Sequence, residues 1–404
     1  MKKALLALGL LAVCVAVGAA RGDHIQELGK QAAGLRGLSY RPIPSQVVSQ
    51  KDCATYLMHL LDKEMEPTRT RKREAFLRHL GLLTGPRSMK QIYAEILSEQ
   101  VRGLYDPAKK RYLVVTAGGK EAGGMGAMAA AIGLNIEDIY TVHELGHAIQ
   151  DQHFNLSRLS QKVADDFDEE LAAQSLIEGD ASVLMMDYAL KSIGMDPAQV
   201  GMAGGMPTGM GSDEMMMMSS PSLAKAPRFF REILSFPYAQ GLTFVNALKA
   251  KGGWKSVDRA FSNLPESSEQ IFHPEKYGRD HPQRVKGARL PLDASWKPLG
   301  HDTAGEFTIH VWAEENGATV TGWGGDSYEV YASGEGTTAV WDTVWDSDRD
   351  AAEFERLAVK ALSRTRGKPS QDGHTKTWTH GRLHSQCDRK GRRVQVVFDY
   401  PKKR

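Results

Sequence analysis

Cysteine is nearly absent from this chain. Its 404 residues hold only Cys14, Cys53 and Cys387, and no pair has the spacing of a cysteine-ligated zinc site. A disulfide-dense scaffold and a thiolate zinc cluster are both excluded, so a zinc site in this chain has to do without cysteine. A charge excess of either sign is missing too: 51 Lys and Arg face 49 Asp and Glu. That balance gives no strong pull toward nucleic acid or a membrane surface. The basic stretch from Lys390 to Arg404 reads as a solvated hairpin and chain end. No internal repeat is evident, and the one long apolar run, Ala4 to Val17, is too short for a persuasive membrane span.

That run does have another reading. Met1-Lys2-Lys3, the apolar stretch and the small residues Gly18-Ala19-Ala20 make a signal peptide over residues 1–20, cut near Ala19 or Ala20. The mature chain is then exported, periplasmic or secreted, with no transmembrane span. Loss of Lys2 and Lys3 leaves its net charge at zero. A lipoprotein box at Leu11-Ala12-Val13-Cys14 is the weaker alternative, because β-branched Val13 stands where a small residue is expected. In an oxidising compartment Cys53 and Cys387 are able to pair across the chain, and two buried or free thiols fit the sequence equally well.

What the chain does contain is His143-Glu144-Leu145-Gly146-His147. On a helix the two histidines lie about 40° apart in azimuth and roughly 6 Å apart along the axis, so both imidazoles can reach one metal. Glu144, about 100° from His143, can polarise a metal-bound water without being a ligand. The surroundings favour a helix over residues 136–154: Asn135 suits the N-cap, Glu137 and Asp138 the first turn, and no Pro interrupts. Val142, Leu145, Ala148 and Ile149 form an apolar arc for the core.

A water-activating zinc site needs a third protein ligand, and two residues compete for the place. His153 has the spacing of the metzincin pattern HExxHxxGxxH, but Gln150 occupies the Gly position that lets the chain turn back. If the helix continues, His153 lies about 9 Å beyond His147 and about 120° round from it. The rival is Glu178, within a helical pattern from Asp168 to Ile193. Its neighbours Gln174, Ser175, Ala181 and Ser182 are small or polar, a face able to approach another helix around a buried carboxylate. Asp151 and Asp180 are candidates to orient a ligating His through its other ring nitrogen.

With these residues in view, the chain resembles the gluzincin branch of the zincins, the thermolysin-like zinc metallopeptidases. The run from His143 to Phe154 with Leu176-Ile177-Glu178-Gly179-Asp180-Ala181 is more closely similar to a family of secreted bacterial zincin-like proteins. Gly103-Leu104-Tyr105-Asp106-Pro107, Phe236-Pro237-Tyr238, Gly252-Gly253-Trp254, the stretch from Ser267 to Tyr277, and Trp323-Gly324-Gly325-Asp326 fit it as well, so the likeness covers most of residues 85–360. The resemblance implies one catalytic Zn²⁺ on His143, His147 and Glu178, Glu144 as general base, and a peptide or protein substrate. It implies an oxyanion-stabilising His or Tyr, for which His273 and Tyr277 are candidates by type. It also implies that the strand before the metal helix forms a sheet edge for an extended peptide. The thermolysin-type Glu-x-x-x-Asp is absent, since Ser182 stands at the Asp position.

The fold expected is α+β: a mainly helical zincin-like metallopeptidase domain with a small edge sheet over residues 21–286, then a small α+β module over 290–404. Residues 51–104 read as three amphipathic helices, with Ser88 capping the last, and Arg111 to Val115 as a strand. Residues 117–133 and 195–220 read as Gly- and Met-rich loops. The second has eight methionines between Met195 and Met218, a soft ligand set that raises copper handling as an alternative function. A non-catalytic binding protein on a zincin scaffold is the other. Pro227 to Lys251 reads as a helix. Beyond residue 290, strands are expected at 307–314, 318–323, 328–332 and 338–345, with a helix at 351–362 and a final hairpin.

Overall fold

The metal-motif helix forms as its caps predict. The computed structural model describes residues 22–100, 103–116, 133–197 and 221–401, which leaves the expected signal peptide, most of the 117–133 loop and nearly all of the Met-rich insertion outside the described residues. In chain order the elements are α1 (Gly22–Arg36), β1 (Ser45–Ser49), α2 (Gln50–Glu64), α3 (Pro67–Leu80), α4 (Met89–Gln100), β2 (Gly103–Asp106), β3 (Arg111–Thr116), α5 (Ile136–Phe154), α6 (Leu156–Val163), α7 (Phe167–Ser192), α8 (Pro221–Lys225), α9 (Arg228–Gly252), α10 (Trp254–Ser262) and α11 (Ser268–Phe272). There follow β4 (Lys297–Asp302), α12 (Gly305–Glu315), β5 (Trp323–Ser333), β6 (Gly336–Trp345), α13 (Asp348–Arg366), β7 (Ser370–Asp372), β8 (Thr375–His380), β9 (Leu383–Lys390) and β10 (Arg393–Pro401). The protein is α+β, a helical body with a three-stranded sheet of order β1-β3-β2 and a C-terminal seven-stranded sheet of order β4-β5-β6-β10-β9-β8-β7.

Local chemistry sets the helix ends around the site. Asn135 accepts from the Glu137 N–H at 3.0 Å to start α5. The helix stops at Asn155, which sits in the left-handed region at φ 57° and caps α6 by accepting from Arg158 N. The reversal therefore comes two residues after His153, so His153 stays helical. Asp166 caps α7 by accepting from Asp168 N and Glu169 N. Ser88 and Gln91 cap α4 reciprocally, each side chain accepting the other's N–H.

The two long helices α7 and α9 cross with their backbones in contact. A Cβ on Gly179 would lie 2.2 Å from the Gly241 carbonyl oxygen, and one on Gly241 would lie 2.1 Å from that of Ser175. Only glycine permits this crossing, and it brings α9 against the turn of α7 that carries Glu178. The C-terminal sheet is locked to the body through α3, where Phe76 stacks on Tyr328 at 3.7 Å and Arg73 and Lys72 both pair with Asp302. One hydrophobic core runs from the helices into this sheet. Among the described residues no helix is long and apolar enough to cross a membrane.

Four sequence expectations need correction. Residues 307–314 form helix α12 rather than a strand: Phe307, Ile309, Val311, Trp312 and Ala313 are all buried, and a short apolar run buried all round carries no period to separate helix from strand. Residues 318–322 are not a strand, and β5 starts at Trp323. Residues 103–104, taken as the end of a helix, belong to β2. Cys53 and Cys387 are not paired. Cys53 lies in a small cluster with Leu57, Leu104, Leu113 and Val115, whereas Cys387 lies on β9 in the main core, so the two thiols are buried in different places.

Candidate metal centre

Helix α5 carries His143, Glu144 and His147, and α7 packs beside it with Glu178. The approach rests on small side chains, because Gly146 faces Ala181 and Leu184 at distances where a Cβ would just fit, at 3.4 Å. His143 Nε2 lies 3.2 Å from His147 Nε2, and Glu178 Oε2 lies 3.3 Å from the first and 3.4 Å from the second. A tetrahedral zinc with bonds of about 2.0–2.1 Å has ligand atoms about 3.3–3.4 Å apart, so three corners of that tetrahedron are already in place. All four residues are buried, with exposures of 7% (His143), 4% (Glu144), 2% (His147) and 1% (Glu178).

Charge supports the same fit. Two carboxylates buried beside two imidazoles need a cation or a proton. Burial opposes a charge on His147, yet the Glu178 carboxylate, its hydrogen bond and Glu144 push it up to about 9. Burial likewise opposes ionisation of Glu178, and the two histidines still hold its carboxyl below the ordinary range. Without a metal, a proton on His147 takes the cation's role. The donor set of two nitrogens and one carboxylate oxygen suits zinc and leaves a fourth position for water. A second acidic group, Glu269, Asp280 and Asp346, already has its cation: Lys276 Nζ lies 2.6, 3.2 and 3.4 Å from their oxygens.

Glu144 does not touch the two histidines through a hydrogen bond. Its Oε2 accepts from the backbone N–H of Tyr105, at 2.8 Å, on β2. The strand expected at the sheet edge, Arg111–Thr116, is central, and β2 supplies the edge that meets the metal helix. His153 is turned away, with Nε2 2.8 Å from the Ser39 carbonyl oxygen. Asp151 takes no His either, since it accepts from Tyr105 Oη at 2.8 Å and from Leu156 N at 3.0 Å. Asp180 reaches His147 only through Gln150: Gln150 Nε2 donates to Asp180 Oδ2 at 2.7 Å, and Gln150 Oε1 lies 3.0 Å from His147 Nδ1.

His273 and Tyr277 spend their polar atoms elsewhere. His273 Nε2 lies 3.3 Å from Glu306 Oε1, and Tyr277 Oη donates to the Asn263 carbonyl at 2.5 Å. The aromatic ring beside the site is Tyr238 of α9, one turn before Gly241, with its centroid 6.0 Å from that of His143. Sequence reasoning passed over Gln150, Arg36, Tyr105 and Tyr238 as site residues. Gln150 had a legible signal, being three residues after His147 on one helix face. The others come from 39 or more residues away; Tyr105 and Tyr238 lie in motifs that the sequence marked without giving them a role, and nothing local marked Arg36.

A family described as a domain of unknown function (DUF8575) matches residues 295–403, which hold the seven-stranded sheet and none of the metal-centre residues. No curated protein and no solved structure matches the chain.

Proposed function

We propose that this protein is an exported zinc metallopeptidase of gluzincin type, with His143, His147 and Glu178 holding the ion and Glu144 moving the proton. The observation that carries this reading is the triangle of His143 Nε2, His147 Nε2 and Glu178 Oε2, with sides of 3.2, 3.3 and 3.4 Å, next to a carboxylate that is not part of it. When bound, zinc supplies Lewis acidity and a water whose pKa falls to about 7. Tyr105 N–H holds Glu144 Oε2, which fixes the carboxylate and leaves Oε1 to accept a proton and return it to a leaving amine. A purely structural zinc has no use for that base, which favours hydrolysis over a binding role. Export rests on the leader Met1 to Ala20.

The test is cleavage of a diverse peptide mixture by the purified protein. We expect hydrolysis that a chelator abolishes and zinc restores. Peptides left intact by the zinc-loaded protein would overturn the reading.

A further inference from the structure

Arg36, the last residue of α1, is an arginine only 1% exposed, buried against the metal helices. Its Nε donates to Asp180 Oδ1 at 2.6 Å, its Nη2 pairs with Asp258 at 2.8 Å, and its guanidinium lies 4.3 Å from the Trp254 ring centroid. Asp180 Oδ2 takes one amide hydrogen of Gln150 at 2.7 Å, and the Ile177 carbonyl takes the other at 2.9 Å. Carboxylate and carbonyl oxygens only accept, so the Gln150 nitrogen must lie on their side. Its oxygen is thereby aimed at His147 Nδ1, 3.0 Å away, and an oxygen there requires Nδ1 to carry the hydrogen. Once the metal displaces the proton on Nε2, the lone pair of His147 is on that nitrogen, which faces His143 and Glu178.

We propose that Arg36, Asp180 and Gln150 form a relay that fixes His147 as the Nδ1–H tautomer, making α1 a working part of the metal centre. The proposal rests on the reading that the triad holds a metal. These are positioning residues that touch neither metal nor substrate. Arg36 Nε donates to Asp180 Oδ1 and so fixes the carboxylate with Oδ2 turned to Gln150, and Asp180 with Ile177 prevents Gln150 from flipping its amide. Removing any link frees the imidazole to present Nδ1 to its neighbour and an N–H to the metal position.

The test compares Zn²⁺ affinity, by competition with a chelating dye, with the His147 Nδ1–H signal in long-range ¹H–¹⁵N spectra of the zinc-loaded protein. Gln150→Leu and Arg36→Met are each expected to weaken zinc binding about 10- to 100-fold and to lose a single Nδ1–H signal. Arg36→Lys, which keeps a charge for Asp180, should fall between Arg36→Met and wild type, and it replaces Arg36→Met if that variant does not fold. Gln150→Glu/Asp180→Asn, which swaps amide and carboxylate and keeps an acceptor at Nδ1 but has no hydrogen for the Ile177 carbonyl, should recover part of the loss. His24→Ala breaks another tie between α1 and α5, the 2.7 Å contact with Asp138, and should leave affinity unchanged. Equal zinc binding by wild type and Gln150→Leu would overturn the relay, as would a loss in His24→Ala as large as that in Gln150→Leu. A wild-type chain that takes up no zinc would instead overturn the metal centre itself.

Discussion

The Tyr105 backbone N–H and Glu144 Oε2 are 2.8 Å apart, joining edge strand β2 of the three-stranded sheet to a carboxylate of α5 that follows His143 and stands outside the ligand triangle. The contact holds one oxygen of this carboxylate and keeps Glu144 beside the triangle rather than in it. A glutamine keeps the oxygen that accepts from Tyr105 and loses the proton-accepting group. Glu144→Gln should therefore bind zinc as wild type does while peptide hydrolysis falls at least about 100-fold. Steady-state rates and metal content of the same preparation check this; undiminished cleavage would remove Glu144 from the chemistry.

Metal binding should depend on pH in a defined direction. His147 is held up to about 9, above its ordinary 6.5, by the Glu178 carboxylate acting against burial. Below about pH 9 zinc has to displace that proton, so its affinity should rise about tenfold between pH 7 and pH 8 for one proton released. In chelator the same shift stabilises the fold fully below about pH 6.5, and the contribution is lost as pH rises through about 9. Competition titrations at the two pH values test the first statement, and melting curves in chelator the second. A pH-independent affinity would mean that the metal-free His147 is neutral.

The helix crossing that delivers Glu178 should tolerate no side chain. A Cβ on Gly179 meets the Gly241 carbonyl at 2.2 Å, so Gly179→Ala must push α7 and α9 apart, at a cost of at least about 2 kcal/mol. Gly34, exposed in the last turn of α1 with nothing within 4 Å of an added Cβ, is the contrast. Gly34→Ala should stabilise by up to about 1 kcal/mol. Urea denaturation of both variants measures the difference, and equal stabilities would mean that the crossing is looser than described.

Cys53 and Cys387 should behave as two unpaired thiols. Burial, above all, pushes both up to about 12, so native protein should resist alkylation at pH 8. Intact mass of the processed protein lacking residues 1–20, and with them Cys14, should show two additions after unfolding in alkylating agent without prior reduction. A protein that needs reduction first would contradict the separate clusters.

How much of this was legible in the sequence follows from how local each signal is. Asn135, Glu137 and Asp138 announce the start of α5 within four residues, and the capping chemistry there is what the structure shows. That Glu178 and not His153 would lie beside the two histidines was legible for a related reason, because the absence of Gly at position 150 left the helix intact. Helix α12 was not legible, since its residues are buried on every side and show no amphipathic period. Helix α1 and strand β1 passed without notice, the latter because its exposed Ser-Gln-Val-Val-Ser alternates too little to mark a strand. Long-range pairings were the least legible. Arg36 and Asp180 are 144 residues apart, and nothing local to either predicts that they meet.

The central claim is that His143, His147 and Glu178 hold one zinc ion, and metal analysis after dialysis against a weak chelator tests it most directly. Wild type and His153→Ala, whose imidazole is on Ser39, should retain about one zinc per chain. Glu178→Ala, stripped of one corner of the triangle, should retain none. Zinc kept by Glu178→Ala and lost from His153→Ala would contradict the account.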